Sequence, residues 1–311
     1  MKILFIGTGF FGSEVLKKLA QSDFKPDFLI CSQDKPVGRK QQLCACPAKE
    51  VANHFNLSVA EFKTLKGKVS FFKKINPDLI IVADTNFILP EEILSIPKHG
   101  CLNLHPSLLP RHRGPSPVQF AILEGDRKTG ITIILMDKEI DHGAIVSQKT
   151  VLLDDQQTYL KLRDDLAVLA SKVLIEILPD WLEGKIQPQE QNHSKATYTK
   201  KLNKKDGQIH WDLSAQEISQ QIRALNPWPG TYTFFKHKNA LKRLKILKAK
   251  TKRSFKKQKP GTISCLDKKM TVSCSQGELI LQRVQVEGKK EVSGEEFTNG
   301  YGQVERLINR K

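Results

Sequence analysis

The chain has 311 residues, 39% of them hydrophobic and 27% charged, with 50 Lys+Arg against 33 Asp+Glu and a net charge of +17. That length exceeds one comfortable core and predicts two domains. No apolar run reaches the roughly 18 residues of a membrane helix, and the opening run Ile3–Ile6 is too short for a secretion signal, so a soluble cytoplasmic protein with no membrane partner is expected.

Short apolar runs alternate with amphipathic ones through the first half, the pattern of a parallel α/β sheet. Lys2–Ile6 predicts a strand and Gly12–Ala20 a helix with Val15, Leu16 and Leu19 on one face. Asp27–Cys31 is a second strand, Cys46–Phe55 and Val69–Ile75 are helical, and Asp78–Ala83 and Gly100–His105 are further strands. Gly130–Met136 and Gly143–Val151 read as an antiparallel pair joined across Asp137–His142, and Thr158–Leu178 as a long helix. Residues 185–204 turn polar, as a linker does. Beyond them Ser214 and Glu217 form a capping box for a helix to Leu225. Five short strands follow, Tyr232–Phe235, Arg243–Lys250, Gly261–Leu266, Met270–Cys274 and Glu278–Val286, which predict a small OB-like barrel. The expected division is an α/β domain over 1–184, a linker over 185–204 and a basic barrel over 205–311.

The charge is unevenly placed. Residues 1–184 hold 23 Lys+Arg and 22 Asp+Glu, whereas 185–311 hold 27 and 11. Twelve Lys/Arg and no acid lie between Lys236 and Lys259. Clustered cations bind polyanions through phosphate contacts and counterion release, so a polyanionic partner is expected. The six cysteines are too sparse for a disulfide framework. Cys44-Ala45-Cys46 lacks a second Cys/His pair at zinc spacing, so no metal is expected.

Gly7-Thr8-Gly9-Phe10-Phe11-Gly12 follows a strand, opens a helix and lies 22 residues before Asp34, which fits a dinucleotide fingerprint. The same glycines would also serve a tight turn and close helix–strand packing. Two features weigh against a nicotinamide enzyme. One is the Lys- and Arg-rich insertion over Asp34–Pro47; the other is a stronger polar constellation at the end of a later strand, where open α/β sheets place their sites.

On the strand Gly100–His105, alternation puts Asn103 and His105 on one face, about 6.5–7 Å apart, and Leu102 and Leu104 on the other. An amide beside an imidazole can donate hydrogen bonds to one developing oxyanion, as acyl transfer requires. Pro106 and Pro110 bracket Ser107-Leu108-Leu109 and stiffen a turn whose backbone groups can grip a flat heterocycle. A carboxylate from the turn Asp137–Gly143 would hold the imidazole, and Asp137 and Asp141 both qualify.

The run Asn103-x-His105-x-Ser107-Leu108-Leu109-Pro110-x-x-Arg113-Gly114, followed by Met136-Asp137 and Asp141-x-Gly143, resembles the signature of the 10-formyltetrahydrofolate-dependent formyltransferases. The resemblance covers essentially the whole chain. It implies a Rossmann-like catalytic domain, an Asn103–His105–Asp141 catalytic set, and a folate-binding turn at Ser107, Leu108, Leu109 and Pro110. Pro36-Val37-Gly38-Arg39, Thr197-Tyr198-x-x-Lys201-Leu202 and Ile222–Gly230 are similar to the branch of that family that acts on initiator methionyl-tRNA. In that branch the tRNA is contacted by the basic loop after the second strand, here carrying Lys35, Arg39 and Lys40, and by an OB-like C-terminal domain. The implied reaction moves the formyl group of 10-formyltetrahydrofolate to the α-amine of methionyl-tRNA, in a cytoplasmic monomer that needs no metal. Thr85 and Asn86 stand where the family has an aromatic residue and glycine, and Glu139 and His142 where it has Gly and Thr; both pairs border the expected pterin pocket. The rival readings are an amino-sugar nucleotide formyltransferase and a tRNA-binding homologue without catalysis.

Overall fold

The computed structural model describes residues 1–37, 42–238, 240–254, 258–266, 268–302 and 304–308. In chain order the elements begin β1 (Ile3–Ile6), α1 (Phe10–Ala20), β2 (Phe28–Ser32), β3 (Lys35–Val37), β4 (Gln42–Cys44), α2 (Pro47–His54), β5 (Ser58–Phe62), α3 (Val69–Ile75), β6 (Leu79–Val82), α4 (Glu91–Leu94) and β7 (Cys101–His105). They continue with α5 (Pro117–Leu123), β8 (Lys128–Leu135), β9 (Ile145–Leu152), α6 (Tyr159–Leu182), α7 (Ala215–Leu225), β10 (Tyr232–His237) and β11 (Ala240–Lys252). The last are β12 (Ile263–Leu266), β13 (Lys269–Ser273), β14 (Glu278–Val286), β15 (Glu291–Ser293), α8 (Gly294–Tyr301) and β16 (Leu307–Ile308). Two compact units result: Met1–Pro117 with Lys128–Leu153 and Leu160–Thr199, and Val118–Arg127 with Asp154–Tyr159 and Lys200–Lys311.

The first unit is Rossmann-like. Its sheet runs β5-β2-β1-β6-β7-β8-β9, parallel from β5 to β7 and antiparallel thereafter. The central strands β1 (ILFI) and β6 (LIIV) are buried at every position, as a sheet covered on both faces demands. Leu4, Ile6, Ile30, Phe72, Ile80, Val82 and Ile93 form one side of the core. Each such buried side chain contributes about 1.5–3 kcal/mol relative to leaving it exposed. The sequence reading omits β5, which pairs with β2 at the sheet edge and has no fully buried residue, so it lacks the apolar run that marks a strand. It also omits the β3–β4 hairpin within the insertion.

The second unit is an antiparallel sheet in the order β12-β13-β14-β11-β10-β16, with β15 on β14. A bridge between Thr262 and Arg306 joins the β12 end of this path to the β16 end, with Ile263 N donating to Glu305 O at 2.8 Å and Leu307 N to Gly261 O at 2.8 Å. The five predicted strands thus close into an OB-like barrel through a sixth, β16, too short to announce itself. Irregular register between Ile246 and Ala249 bends β11, which pairs with both β10 and β14. Ser214 caps α7 as expected: its Oγ accepts from Glu217 N at 3.2 Å while Glu217 Oε2 accepts from Ser214 N at 2.8 Å. That helix packs Ile218 and Ile222 into a core with Trp211, Phe235, Leu244, Ile246 and Phe297. Among the described residues no helix is long and apolar enough to cross a membrane.

Candidate active site

Asn103 and His105 lie at the carboxyl end of β7, where Asn103 sits between Val82 of β6 and Ile134 of β8, and His105 opposite Thr132. The carboxylate that meets them is that of Asp141. Its Oδ1 accepts from Asn103 Nδ2 at 3.1 Å and lies 3.4 Å from His105 Nδ1, and its Oδ2 accepts from the backbone N–H of Gly114 at 2.7 Å. Asp137, the other aspartate of the turn, is spent locally: its Oδ1 accepts from Glu139 N at 2.9 Å and its Oδ2 contacts His142 Nδ1 at 2.6 Å. Asp141 has φ +53, a left-handed backbone that L-residues rarely adopt.

His105 is only 4% exposed, and its Nε2 lies 2.9 Å from the carbonyl of His112. Asn103 is half-buried and donates one of its two amide hydrogens to Asp141, leaving the second for an incoming oxygen.

The Ser107–Pro110 turn is built from within. Ser107 is fully buried, and its hydroxyl donates to Arg111 O at 2.7 Å. Thr132 of β8 ties the turn together: its Oγ1 donates to Ser107 O at 2.7 Å and accepts from Leu109 N at 3.1 Å. Gln148 of β9 donates to Leu109 O at 2.9 Å. Leu109 is buried; Leu108 and Pro110 are half-buried and supply the turn's remaining surface. The Ser107 side chain therefore fixes the turn's shape.

The glycine motif serves packing. A Cβ on Gly9 would lie 2.1 Å from Asp84 Oδ2, and one on Gly12 2.4 Å from the Ala83 carbonyl. Asp84 Oδ2 accepts from Phe11 N at 3.1 Å, and Asp84 O accepts from Thr8 N at 3.0 Å and Gly9 N at 3.2 Å. A carboxylate thus occupies the start of α1, where a dinucleotide fold presents amides to a pyrophosphate. Asp34 is likewise engaged, 2.9 Å from Lys49 Nζ, which also reaches Glu61 at 2.6 Å.

Of the three predicted loop cations, Lys35 is exposed on β3, while Arg39 and Lys40 lie outside the described residues. On β11, Leu244 and Ile246 face the barrel core and Lys245, Lys248, Lys250 and Lys252 are exposed.

Sequence reasoning missed one layer of this site. The polar stretch read as linker is bound to the first unit: Gln189 pairs with Ile145, and Tyr198 with Arg113. Arg113, 2% exposed, donates to Gln191 Oε1 at 2.7 Å and faces His193 Nδ1 at 2.8 Å. His193 stacks on His142 with ring centroids 3.9 Å apart. Nothing in the polar composition of 185–199 marks Gln191 and His193; the signals on offer were the Thr197-Tyr198 motif and an arginine inside the signature with no acid near it in sequence.

Residues 1–178 match the family model described as formyl transferase, and residues 201–302 that of the formyl transferase C-terminal domain. A methionyl-tRNA formyltransferase of Caldicellulosiruptor saccharolyticus is 40% identical over 306 residues, covering 97% of each chain. That of Bacillus subtilis is 35% identical over 303 residues, covering 96% of this chain and 94% of its own. Among solved structures, an N-formyltransferase from Helicobacter canadensis in complex with folinic acid and dTDP-3-aminofucose aligns with a TM-score of 0.66 at 18% identity, covering 90% of this chain and 98% of its own. HypX from Aquifex aeolicus aligns with a TM-score of 0.64 at 17% identity, covering 98% of this chain and 48% of its own.

Proposed function

The chain belongs to the formyl transferase family, and from that premise we propose that it transfers the formyl group of 10-formyltetrahydrofolate to the free α-amine of initiator methionyl-tRNA. Near-complete coverage of relatives that carry this activity supports the reading. The observation that carries it is the convergence of Asn103, His105 and the Gly114 amide on the one carboxylate of Asp141.

The chemistry follows from that arrangement. The α-amine attacks the formyl carbon and places negative charge on the formyl oxygen. Asn103 Nδ2, with a hydrogen to spare, and His105 are the donors that stabilise this oxyanion. Asp141 orients both donors and takes part in removing the proton from the attacking nitrogen. Collapse of the tetrahedral intermediate breaks the bond to folate N10, which accepts the proton, and leaves the amide of formylmethionine. Holding amine and formyl carbon together in one site supplies much of the remaining acceleration. The folate-binding role of the Ser107–Pro110 turn rests on its rigid anchoring beside β7.

Lys35 on β3 and the exposed lysines of β11 suit the phosphates of the tRNA. The test is direct: incubate the protein with 10-formyltetrahydrofolate and methionyl-tRNA, then hydrolyse the ester and look for formylmethionine. A protein that formylated an amino-sugar nucleotide and left methionyl-tRNA untouched would overturn the assignment.

A further inference from the structure

Asp141 sits on a left-handed backbone, φ +53, a conformation less populated than the right-handed one for any residue but glycine. Something must hold that turn, and the hydrogen bonds identify it. Gln191 Nε2 donates to the carbonyl of Asp141 at 2.9 Å and to that of Gly143 at 2.8 Å, spanning the residue between them. Its Oε1 accepts from Arg113 Nη2 at 2.7 Å and from Arg113 Nε at 3.3 Å. A guanidinium can only donate, so the Gln191 oxygen must face Arg113 and its amino group must face the two carbonyls. Arg113 is fixed in turn by Tyr198 Oη at 3.3 Å and His193 Nδ1 at 2.8 Å. Both Gln191 and Arg113 are almost wholly buried, at 4% and 2% exposure.

We propose that Gln191 is a positioning residue for formyl transfer, holding the Asp141 turn so that one carboxylate reaches Asn103, His105 and the Gly114 amide together. The inference rests on the formyl-transfer reading and adds to it a residue outside the signature motif. Only a primary amide fits the role. Glutamate, of the same size, would keep the Arg113 contact but set a third oxygen against the carbonyls of Asp141 and Gly143. Methionine would keep the volume and lose every donor.

The experiment compares Gln191→Glu and Gln191→Met with the unaltered protein in formylation of methionyl-tRNA, and repeats each substitution in an Asp141→Asn background under single-turnover conditions. A displacement of the carboxylate by about 1 Å lowers kcat by about 100-fold. We expect that loss with KM for folate and for methionyl-tRNA unchanged, and almost no further loss once Asp141 is already Asn, because the effect acts through that carboxylate. Full kcat in either variant, a rise in KM with kcat intact, or an equal loss in both backgrounds would overturn the proposal. Gln191→Met carries the same test if Gln191→Glu does not fold. An unaltered protein that makes no formylmethionine overturns the formyl-transfer reading instead, and this proposal with it.

Discussion

The backbone N–H of Gly114 donates to Asp141 Oδ2 at 2.7 Å, so the residue after the buried Arg113 fixes one edge of the Asp141 carboxylate. Gly114 has φ +101, and a Cβ there would lie 2.8 Å from the Thr199 carbonyl. Gly114→Ala therefore meets both backbone strain and a clash with backbone, a combination that destabilises by about 1–3 kcal/mol. The shift also drags the amide off Asp141. We expect a lower thermal midpoint together with a loss of kcat; a variant as active as the unaltered protein would show that the Gly114 amide is dispensable.

His105→Ala, Asn103→Ala and Asp141→Ala should each abolish or nearly abolish turnover while leaving the circular dichroism spectrum in place. Loss of a single oxyanion donor costs about 10²–10³ in kcat, which sets the scale for Asn103. Asp141 should lose more, since it alone touches both of the other members of the set. Near-normal turnover in any of the three removes it from the reaction.

Much of this was legible in the chain. The apolar runs of β1 and β6 and the alternation of β7 mark a buried sheet and place Asn103 and His105 on one face of a strand end. The choice between Asp137 and Asp141 was not legible from the turn alone, because it depends on a left-handed backbone held by residues some 50 positions away in sequence. Gln191 was invisible for the same reason: its role is set by two carbonyls and a guanidinium that only the fold brings to it. The barrel's closing strand was missed because β16 is two residues long and gains its place from Thr262 and Phe235.

The glycines of the first turn make a prediction opposite to that of a nucleotide site. At Gly9 a methyl group would collide with the Asp84 carboxylate, which accepts the Phe11 amide at the start of α1. Gly9→Ala should lower stability, on the order of 1 kcal/mol or more as a missing helix cap does, and NADH should bind neither protein in a fluorescence titration. NADH binding that Gly9→Ala removes would reinstate the glycines as a ligand site.

Cys46 should be a reactive thiol at neutral pH. The buried Cys31 thiol donates to it, and the backbone amides of Lys49 and Ala48 at the start of α2 add to the effect; together these outweigh burial and bring its pKa down to about 7. The shared proton pushes Cys31 up. A lowered thiol pKa means the thiolate, the reactive form, is half-populated near pH 7 and fades below it. Alkylation of Cys46 by iodoacetamide should therefore rise through pH 7. Replacing Cys31→Ala removes the donor and should move the rise to higher pH. Peptide mapping that finds the Cys46 rise at the same pH in Cys31→Ala would refute the pairing.

The charge asymmetry that first pointed to a polyanion has a definite surface. On β11, Leu244 and Ile246 face the barrel core while Lys245, Lys248 and Lys250 are exposed, so removing those lysines leaves the packing intact. If they meet tRNA phosphates, each one contributes to the salt dependence of binding through released counterions. Lys248→Ala with Lys250→Ala should raise KM for methionyl-tRNA and reduce the slope of log KM against log salt by about 1 for each phosphate that a lysine no longer neutralises. The formyl donor and the turnover at saturating tRNA should be unaffected, because neither lysine belongs to the first unit that holds Asn103, His105 and Asp141. A slope equal to that of the unaltered protein would move the tRNA surface off β11 and leave the other cations of the basic half to account for it.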